Sequence, residues 1–329
     1  MKAMVLTQIH NPLILKDLPI PTPLPEQLLL KVEVCALCRT DLHVVDGELP
    51  EPVLPIIPGH QIVAEVVAIG EKVTGWQMGD RAGVAWLQGA CGKCEFCTTG
   101  RENLCDQAIY TGYHVNGGYA EYCVAHAAFC FHLPKSADAA YLAPCLCGGL
   151  IGFRALRFAG NAKTLGFYGF GSSAHLLTQI AVALGKKVYA FTRPGDKKGQ
   201  IFAKDLGAAW AGGSDEIPPD KLEAALIFAP VGELVPQALK AVKKGGKVIC
   251  AGIHMSDIPS FPYELLWEER SIQSVSNLTR QDGIDFFNLQ IPLHPQVTLY
   301  PLEEANQALE DLRHGRVEGS LVLKTQFAP

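Results

Sequence analysis

Apolar and polar positions follow one pattern over the first 150 residues and a different pattern from about residue 165. In the first part, short apolar runs such as 28–34 and 62–69 are separated by clusters of proline and glycine. Short runs bounded by such residues are typical of β-strands, and no long segment there has the 3.6-residue period of an amphipathic helix. This pattern predicts an irregular, β-rich domain.

From residue 165 onward, apolar runs of strand length alternate with amphipathic runs of helix length. The strand candidates are 165–170, 187–192, 224–229 and 247–252, and the helix candidates are 175–185, 199–208 and 234–246. Such alternation is typical of a parallel sheet whose strands are joined by crossover helices. We therefore predict an α/β chain that contains a doubly wound parallel sheet, the fold of many nucleotide-binding domains.

After about residue 288 the mixed pattern returns, with one clear helix at 302–314 and a closing apolar run at 321–323. We therefore expect the tail to rejoin the first domain. The predicted organisation is a β-rich domain made of residues 1–150 and 288–329, and a dinucleotide-binding domain made of residues 151–287.

The composition of the chain argues against nucleic acids and membranes as partners. The chain has 329 residues and is 48% hydrophobic, which suffices for two packed domains. Its 28 basic and 33 acidic side chains give a net charge of −5, so it lacks the basic excess that neutralises nucleic-acid phosphates. The longest uncharged apolar stretch, 139–153, is shorter than the ~20 residues of a membrane-spanning helix. We expect neither a nucleic-acid nor a membrane partner.

The N-terminal segment indicates the cellular compartment, and the compartment determines whether the cysteines form disulfides. Gln8, His10 and Asn11 interrupt it where a secretory signal would carry an unbroken apolar core. We therefore expect a cytoplasmic protein, whose reducing surroundings keep thiols free. The eleven cysteines are unevenly spaced, and in that compartment they favour metal ligation over a disulfide framework.

Residues 91–105 read CGKCEFCTTGRENLC and bring four cysteines together in one glycine-containing segment. Four thiolates can surround a tetrahedral zinc ion and leave no position for water, so such a site is structural. Sets of four thiolates also hold iron–sulfur clusters, which is the alternative. The predicted ligands of the structural zinc are Cys91, Cys94, Cys97 and Cys105.

A second group of metal-binding residue types is dispersed along the chain: Cys38, His43, His60 and Cys147. Their spacing alone does not connect them, and a single buried cysteine is commonly just a small hydrophobic residue. Two thiolates and one imidazole around zinc would leave a fourth position open, which distinguishes catalytic from structural zinc.

A glycine-rich turn follows the apolar run at 165–170. Gly169 and Gly171 allow a tight turn and close approach of backbone N–H groups to a pyrophosphate, and Ala174 permits close helix packing. Ser172 and Ser173 lie between Gly171 and Ala174, at the expected start of a helix. The context matches a dinucleotide-binding fingerprint of the form G-x-G-x-x-A.

The next predicted strand ends in Thr192 and Arg193, at the position where NAD-binding chains place an acidic residue on the ribose 2′-hydroxyl. A hydroxyl and a guanidinium suit a 2′-phosphate better, because arginine binds phosphate through two charge-assisted hydrogen bonds. We therefore expect NADP(H). In the alternative, Arg193 is only a solvated surface charge and NAD(H) is used as well.

Taken in chain order, six motifs are similar to those of one enzyme family. They are CRTDLH at 38–43, PGHQ at 58–61, the four-cysteine segment at 91–105, GGYAEY at 117–122, APCLCGG at 143–149 and the turn at 169. Together they resemble the zinc-dependent alcohol dehydrogenases of the medium-chain dehydrogenase/reductase superfamily over almost the whole chain. The resemblance implies a GroES-like catalytic domain, a Rossmann domain, two zinc ions per chain and a homo-oligomer, either a dimer or a tetramer.

The resemblance also implies roles for residues of the first domain. Cys38, His60 and Cys147 correspond to the ligands of the catalytic zinc. We choose Cys147 over Cys145 because the family's ligand directly precedes a pair of small residues. Asp41 corresponds to the carboxylate that orients the ligand histidine.

Thr40 and His43 correspond to the hydroxyl and imidazole of the family's proton relay, which carries the alcohol proton to water in short hydrogen-bonded steps. Arg39 corresponds to a residue that approaches the cofactor pyrophosphate. One position departs from the family, because relatives usually have glutamate after the ligand histidine and this chain has Gln61. The departure removes a carboxylate near the metal, so we expect altered ligand-exchange kinetics.

These roles predict the reversible oxidation of a small alcohol to an aldehyde or ketone, with zinc as the Lewis acid and direct hydride transfer to the nicotinamide. Two alternatives stay open. One is a carbonyl reductase, polyol dehydrogenase or thiol-adduct dehydrogenase of the same fold. The other is a non-catalytic zinc- and nucleotide-binding relative, which only Gln61 favours.

Overall fold

The computed structural model describes residues 1–50 and 53–325, which form two compact units. The first unit comprises the described residues of Met1–Cys147, Leu278–Leu289 and the chain from Pro295 to Thr325. The second unit comprises Gly148–Asn277 and Gln290–His294. Each unit has its own sheet and its own hydrophobic core.

Seventeen strands occur within the described residues. They are β1 (Lys2–Val5), β2 (Ile14–Asp17), β3 (Gln27–Leu37), β4 (Gln61–Ile69), β5 (Arg81–Val84), β6 (Leu87–Gly89), β7 (Ile109–Tyr110), β8 (Tyr122–His126), β9 (Cys130–His132), β10 (Thr164–Tyr168), β11 (Lys187–Thr192), β12 (Trp210–Gly213), β13 (Leu222–Ile227), β14 (Val242–Cys250), β15 (Ser271–Ser274), β16 (Val297–Pro301) and β17 (Ser320–Lys324).

Nine α-helices join these strands in the same part of the chain. They are α1 (Arg39–Val45), α2 (Glu95–Thr98), α3 (Ala139–Leu142), α4 (Gly148–Ala159), α5 (Ser172–Ala183), α6 (Lys197–Asp205), α7 (Leu234–Ala241), α8 (Arg280–Phe287) and α9 (Ala305–His314). Short 3₁₀ turns lie at Glu102–Leu104, Ala127–Phe129, Ala143–Leu146, Tyr263–Leu265 and Leu302–Glu304.

The first unit is built on a seven-stranded sheet with the path β16-β17-β3-β4-β5-β9, to which β8 adds by pairing with β3. Strand β3 alternates buried and half-buried residues from Gln27 to Val34, as expected of a strand with one face on the core. Its C-terminal residues are buried on both faces. The core of this unit includes Leu28 and Leu30 of β3 and Ile62 and Val66 of β4.

The antiparallel pairing of β3 with β4 brings together residues that are far apart in sequence. Cys35 lies opposite Ile62, and Ala36 lies opposite Gln61. The C-terminal end of β3 therefore meets the N-terminal end of β4. The residues just beyond these two ends, Cys38 and His60, come together because of this register.

The second unit contains six parallel strands in the order β12-β11-β10-β13-β14-β15. The order reverses between β10 and β13, so that the chain winds outward in both directions from this point. Residues of the central strands are almost entirely apolar and buried, as is typical of parallel sheets covered on both faces. The doubly wound parallel sheet predicted from the alternating pattern is confirmed.

Residues 278–287, which the sequence predicted for the second domain, lie in the first unit. The packing of α8 explains the assignment. Gly283 lies directly against the ring of Phe131, leaving no room for a Cβ atom, and the backbone N–H of Arg280 donates to Glu102 at 2.9 Å. Both partners belong to the first unit.

The helix predicted at 234–246 is shorter in the structure. Helix α7 ends at Ala241, and Val242 begins β14 opposite Leu222. Val242 already has extended backbone angles, and Gly245 has a positive φ of 67°, so the segment from 242 to 246 is not helical.

Among the described residues, no single helix has both the length and the hydropathy needed to span a membrane. One bent pair of helices, Ala139–Leu146 followed by Gly148–Ala159, meets the length and composition criteria when its members are counted together.

Candidate active site and metal centres

Cys38 occupies the N-cap of α1 with extended backbone angles. Its Sγ atom accepts a hydrogen bond from the backbone N–H of Thr40 at 3.3 Å, and Asp41 Oδ2 accepts one from the backbone N–H of Cys38 at 2.8 Å. This reciprocal arrangement is a capping box in which a thiol replaces the usual hydroxyl. The helix start therefore fixes the position of the sulfur.

His60 enters β4 through a glycine turn. Gly59 has a φ of 96°, and a Cβ atom there would lie 2.3 Å from the ring of Tyr119. Only glycine fits this position, so the GGYAEY segment supports the histidine by packing Tyr119 beneath its turn. His60 itself is fully buried.

Asp41 also holds His60. The Nδ1 atom of His60 lies 3.2 Å from Asp41 Oδ1, and the aspartate is 1% exposed. Because Nδ1 faces a carboxylate, it carries the proton, and the opposite nitrogen, Nε2, is left as a donor atom for a metal ion.

Cys147 completes a cluster of three donor atoms. The Sγ atom of Cys38 lies 3.2 Å from His60 Nε2 and 3.8 Å from Cys147 Sγ, and the three donor atoms lie within 4.8 Å of one another. Zinc–sulfur bonds of ~2.3 Å at a tetrahedral angle separate two sulfur atoms by ~3.8 Å, and a sulfur and a nitrogen by ~3.6 Å. The donor set and its spacing therefore fit a zinc ion with one position left open.

The ionisation of the cluster is consistent with a cation site. Burial opposes a charge on Cys38, but the Cys147 thiol and the His60 imidazole outweigh burial and hold the pKa of Cys38 well below its ordinary value. Burial lowers the pKa of His60, yet Cys38 and Asp41 raise it to about 10. The contact with Cys38, together with burial, raises the pKa of Cys147 well above its ordinary value. A bound metal ion would displace the protons from His60 and Cys147.

Aromatic side chains form one wall beside the cluster. The ring of Trp86 meets His60 edge-on, with centroids 4.9 Å apart, and is 6% exposed. Tyr110 and Tyr113 stack on Trp86 at centroid distances of 5.2 and 5.8 Å. These rings exclude water from the side of His60 that they cover.

Thr40 and His43, predicted as a proton relay, lie on α1 and are 9% and 4% exposed. The Nδ1 atom of His43 is hydrogen bonded to Glu48 Oε2, from the segment after α1. Sequence reasoning missed Glu48, because nothing in the pattern links a carboxylate beyond the helix to an imidazole inside it. The only available signal is the glycine at position 47, which allows the chain to turn back.

Gln61 follows His60 on β4 and is 1% exposed. Its Nε2 atom is buried without a hydrogen-bond partner. A buried amide donor that lacks a protein acceptor is costly unless a ligand or water oxygen accepts from it. The residue therefore retains an unused donor next to the histidine.

The four-cysteine segment folds into a separate loop around α2 and the turn at Glu102–Leu104. All four Sγ atoms lie within 4.8 Å of one another, with Cys91 and Cys97 at 3.9 Å. Backbone N–H groups of Lys93 and Cys94 lower the pKa of Cys91 to about 6, which favours the thiolate that binds metal. The geometry fits a closed tetrahedral site.

In the second unit, the glycine-rich turn joins β10 to α5. Gly169 has a φ of 88°, and a Cβ atom there would lie 2.7 Å from the backbone of Ala229. Gly171 is the N-cap of α5 without a side-chain cap, and space is open around it. Ser172 and Ser173 form the first turn and are half-buried, and Ala174 is fully buried. Backbone N–H groups at a helix start of this kind can bind a phosphate.

Thr192 and Arg193 end β11, but they differ in accessibility. Thr192 is 3% exposed, and its hydroxyl hydrogen bonds within the unit, donating to Gly212 O at 3.3 Å and accepting from Gln200 Nε2 at 3.3 Å. Arg193 is exposed. The carboxylate of Asp196 caps α6 by accepting from Gly199 N–H at 2.9 Å. Arg193 is thus the residue of the predicted pair whose side chain is exposed at the strand end.

Arg39, the first residue of α1, is also exposed. The structure brings Cys38, His60 and Cys147 together with Asp41, and brings the four cysteines of the loop together. The predicted cofactor residues of the second unit gather at the carboxyl ends of β10 and β11.

Comparisons with known proteins decide the family. Residues 24–135 match the family described as the alcohol dehydrogenase GroES-like domain. The chain is 45% identical over 314 residues to the probable alcohol dehydrogenase AdhA of Mycobacterium tuberculosis (strain CDC 1551 / Oshkosh), an alignment covering 92% of this chain and 90% of that protein. The chain belongs to the zinc-type medium-chain alcohol dehydrogenase family. The resemblance inferred from the six motifs is confirmed.

Further similarities extend over the whole alcohol dehydrogenase fold. An alcohol dehydrogenase of Geobacillus stearothermophilus is 36% identical over 338 residues, covering 98% of this chain and 99% of that one. The structure of acetophenone reductase from Geotrichum candidum NBRC 4597 in complex with NAD is 28% identical, with a TM-score of 0.87 and coverage of 98% and 96%. The predicted combination of a GroES-like domain and a Rossmann domain is confirmed.

Substitution of one cysteine of the four-cysteine loop should remove the structural metal ion and leave the catalytic one in place. We expect Cys97→Ala to lower the melting temperature by more than about 4 °C and to reduce the zinc content from two ions per chain to one, because metal binding in a closed site is folding free energy. Calorimetry and elemental analysis measure the two effects. The control Cys130→Ala removes a thiol of the same unit outside both clusters and should keep both ions. An unchanged zinc content in Cys97→Ala would contradict the closed site.

Proposed function

We propose that this alcohol dehydrogenase oxidises small alcohols to aldehydes or ketones, and reduces them in reverse, at a zinc ion held by Cys38, His60 and Cys147. The observation that carries the proposal is the convergence of two sulfur atoms and one imidazole nitrogen within 4.8 Å of one another. Three donors leave one tetrahedral position open to the oxygen of a substrate. Substrate oxygen is therefore expected to bind there.

When bound, zinc supplies Lewis acidity toward the substrate oxygen, and the nicotinamide cofactor supplies or accepts the hydride. The residues of this chain orient the metal ligands and lower the polarity around them. Asp41 keeps the proton on His60 Nδ1 and so presents Nε2 as a ligand. Trp86 covers the edge of the imidazole and lowers the local polarity. Electrostatic interactions at the substrate oxygen are stronger in such a water-poor site.

The charge of the ligand set would favour negative charge on the substrate oxygen. Two thiolates would offset the double charge of a zinc ion, so the site would be formally neutral. Gln61 adds no charge to this sum, whereas the glutamate usual in the family would add a negative one. The unpartnered Nε2 of Gln61 gives the site a donor that a glutamate does not have. We therefore infer that Gln61 preserves catalysis and changes the charge available during ligand exchange.

Oxidation of an alcohol also releases a proton, which must leave a buried site. Thr40 and His43 lie on the same short helix as the ligand Cys38 and are themselves buried. We assign them the transfer of this proton by short hydrogen-bonded steps. No nucleophilic side chain is required for this chemistry.

The four-cysteine loop is proposed to hold the second, structural zinc ion. Cys91, Cys94, Cys97 and Cys105 supply all four ligands, so this ion has no open position and takes no part in the reaction.

The second unit is proposed to bind NADP(H) in preference to NAD(H). Arg193 is exposed at the end of β11, and Asp196, three residues further along the chain, caps α6. A 2′-phosphate at this strand end would meet a guanidinium, which binds phosphate through charge-assisted hydrogen bonds. Gly169, Gly171 and the first turn of α5 are assigned to the pyrophosphate.

Ketone reduction is a second candidate for the physiological direction. The observation in its favour is the similarity to acetophenone reductase, a protein named for the reduction of an aromatic ketone. Both directions use the same residues, so a panel of primary, secondary and aromatic alcohols with the matching carbonyl compounds distinguishes them by kcat/KM.

We further propose that the enzyme is a homo-oligomer. Strand β15 forms one edge of the parallel sheet, and its outer edge has no neighbouring strand within the described chain. Tyr263 and Trp267, in the segment before β15, are 73% and 49% exposed. An open strand edge and exposed aromatic rings favour association with a second copy.

Loss of one proposed ligand should abolish turnover without unfolding the chain. We expect Cys147→Ala to reduce kcat to background and to remove one of two zinc ions, with an unchanged circular dichroism spectrum. The matched control is Cys145→Ala, because this buried thiol lies two residues earlier and donates to Tyr141 O at 3.4 Å. Alcohol turnover and elemental analysis measure the outcome. Equal activity in Cys147→Ala and Cys145→Ala would refute the ligand assignment.

The cofactor preference should depend on one guanidinium. We expect Arg193→Ala to raise the KM for NADPH by about tenfold to a hundredfold, as for loss of a charge-assisted hydrogen bond, and that for NADH by less than about twofold. Lys198→Ala, which removes a nearby exposed charge, serves as the control. Parallel losses for both cofactors in Arg193→Ala would contradict the 2′-phosphate assignment.

Association through the edge of the sheet should be sensitive to charge. We expect the double variant Tyr263→Asp and Trp267→Asp to halve the mass measured by light scattering or to reduce it to that of the 35.5 kDa chain. Ile217→Asp is the control, because this side chain is 89% exposed and follows β12 at the opposite edge. A monomeric wild type, or an unchanged mass in the double variant, would exclude this edge as the interface.

A further inference from the structure

The chain leaves β15 through an asparagine in a rarely populated backbone conformation. Asn277 follows the strand Ser271–Ser274 closely in sequence and has a φ of 52°. This left-handed region is unfavourable for most residues with a side chain, although asparagine is tolerated there better than others. Such conformations concentrate at ligand-binding sites, where the surrounding structure maintains them. The backbone therefore marks Asn277 as a candidate binding residue.

The side chain of Asn277 carries a donor that the protein itself does not use. Its Nδ2 atom is buried, and in the part of the chain that the structure describes it has no hydrogen-bond partner. An unpaired amide donor is unfavourable in the interior, so such groups are normally paired with protein, water or a ligand. The amide is thus available to an oxygen atom from outside the chain.

Asn277 lies at the carboxyl edge of the parallel sheet. Strands β13, β14 and β15 are parallel neighbours in this sheet. Beyond their ends, the backbone N–H of Val275 donates to the O atom of Cys250, the last residue of β14, at 2.9 Å. The segment that leads to Asn277 therefore stays beside the end of β14. Open parallel sheets bind their ligands outside the carboxyl ends of the strands.

The order of the strands assigns this position to one half of a dinucleotide. The order reverses between β10 and β13, and a dinucleotide bound at such a point extends over both halves of the sheet. In the proposed function, Arg193 at the end of β11 meets the 2′-phosphate of the adenosine half. The nicotinamide half is therefore expected on the side of β13, β14 and β15.

The residues that follow β13 and β14 suit a flat, uncharged group. Ala229 lies just beyond β13, and Ala251 and Gly252 follow β14 directly. These positions carry small side chains without charge. The nicotinamide ring is flat, and its hydrogen-bonding substituent is a neutral carboxamide, whose oxygen atom accepts and whose nitrogen atom donates. A single amide donor beside small residues is complementary to this group.

We propose that Asn277 recognises the carboxamide of the nicotinamide ring, with its Nδ2 atom donating to the carboxamide oxygen. The inference rests on the proposed function, since it requires that the second unit bind a nicotinamide nucleotide. A held carboxamide restricts rotation of the ring about its bond to the ribose, and so helps to fix the face that the ring presents. Asn277 is a binding residue and takes no part in bond making.

One substitution removes the amide and keeps the backbone conformation. Asn277→Gly does so because glycine adopts a positive φ without steric cost. The matched control is Gln290→Gly, since Gln290 has a similar φ of 53° and is exposed. Both variants should melt at or above the temperature of the wild type in calorimetry, because both relieve the same kind of backbone strain.

Binding is measured by isothermal titration calorimetry with NADP⁺ and with 2′-phospho-ADP-ribose, which lacks only the nicotinamide. NAD⁺ and ADP-ribose are titrated in parallel, so that the result does not depend on the 2′-phosphate. We expect Asn277→Gly to raise the Kd of each complete dinucleotide about threefold to tenfold, as for loss of one hydrogen bond, and that of each truncated nucleotide by less than about twofold. Gln290→Gly should change neither. Equal losses for complete and truncated nucleotides, or no loss for the complete ones, would overturn the proposal.

A second measurement tests the wild type without any substitution. In thionicotinamide analogues of the two dinucleotides, sulfur replaces the carboxamide oxygen and is a weaker hydrogen-bond acceptor. We expect the wild type to bind them about threefold more weakly than the natural dinucleotides, and Asn277→Gly to bind both forms within about twofold. Equal binding of both forms by the wild type would also overturn the proposal. A wild type that binds none of these nucleotides would instead overturn the proposed function.

Discussion

The antiparallel register between β3 and β4 is the constraint on which the catalytic metal centre depends. It sets Ala36 opposite Gln61, and so places the end of β3, which precedes Cys38, beside the start of β4, which follows His60. A shift of one residue would turn alternate side chains to the other face of the sheet, and the buried positions of Leu28 and Leu30 make such a shift costly. The core of the first unit therefore fixes the distance between two ligands.

The local motifs of the chain were predictable because each of them consists of contiguous residues. The strand expected at 187–192 coincides with β11, and the turn at Gly169 joins β10 to α5 as its spacing indicated. The four-cysteine loop is likewise a single segment, whose sulfur atoms converge as expected. In each of these cases a few neighbouring side chains determine the local geometry.

Features that depend on distant pairing were not predictable from sequence alone. The edge strands β12, with the sequence WAGG, and β15, with SIQS, have no clear alternation, and they become strands because β11 and β14 offer free edges. The approach of Cys147 to Cys38 was inferred only through the family resemblance, since no spacing rule connects them. Likewise, the burial of the Thr192 hydroxyl follows from its contact with Gly212, which no local pattern reveals.

Asp41 has one further consequence, because its two oxygen atoms serve two different structures. One oxygen completes the capping of α1 and the other holds the ring of His60. Fraying of the first helical turn and rotation of the imidazole are consequently a single cooperative event. The opening free energy of that short turn sets a ceiling on how rigidly the catalytic ligand can be held.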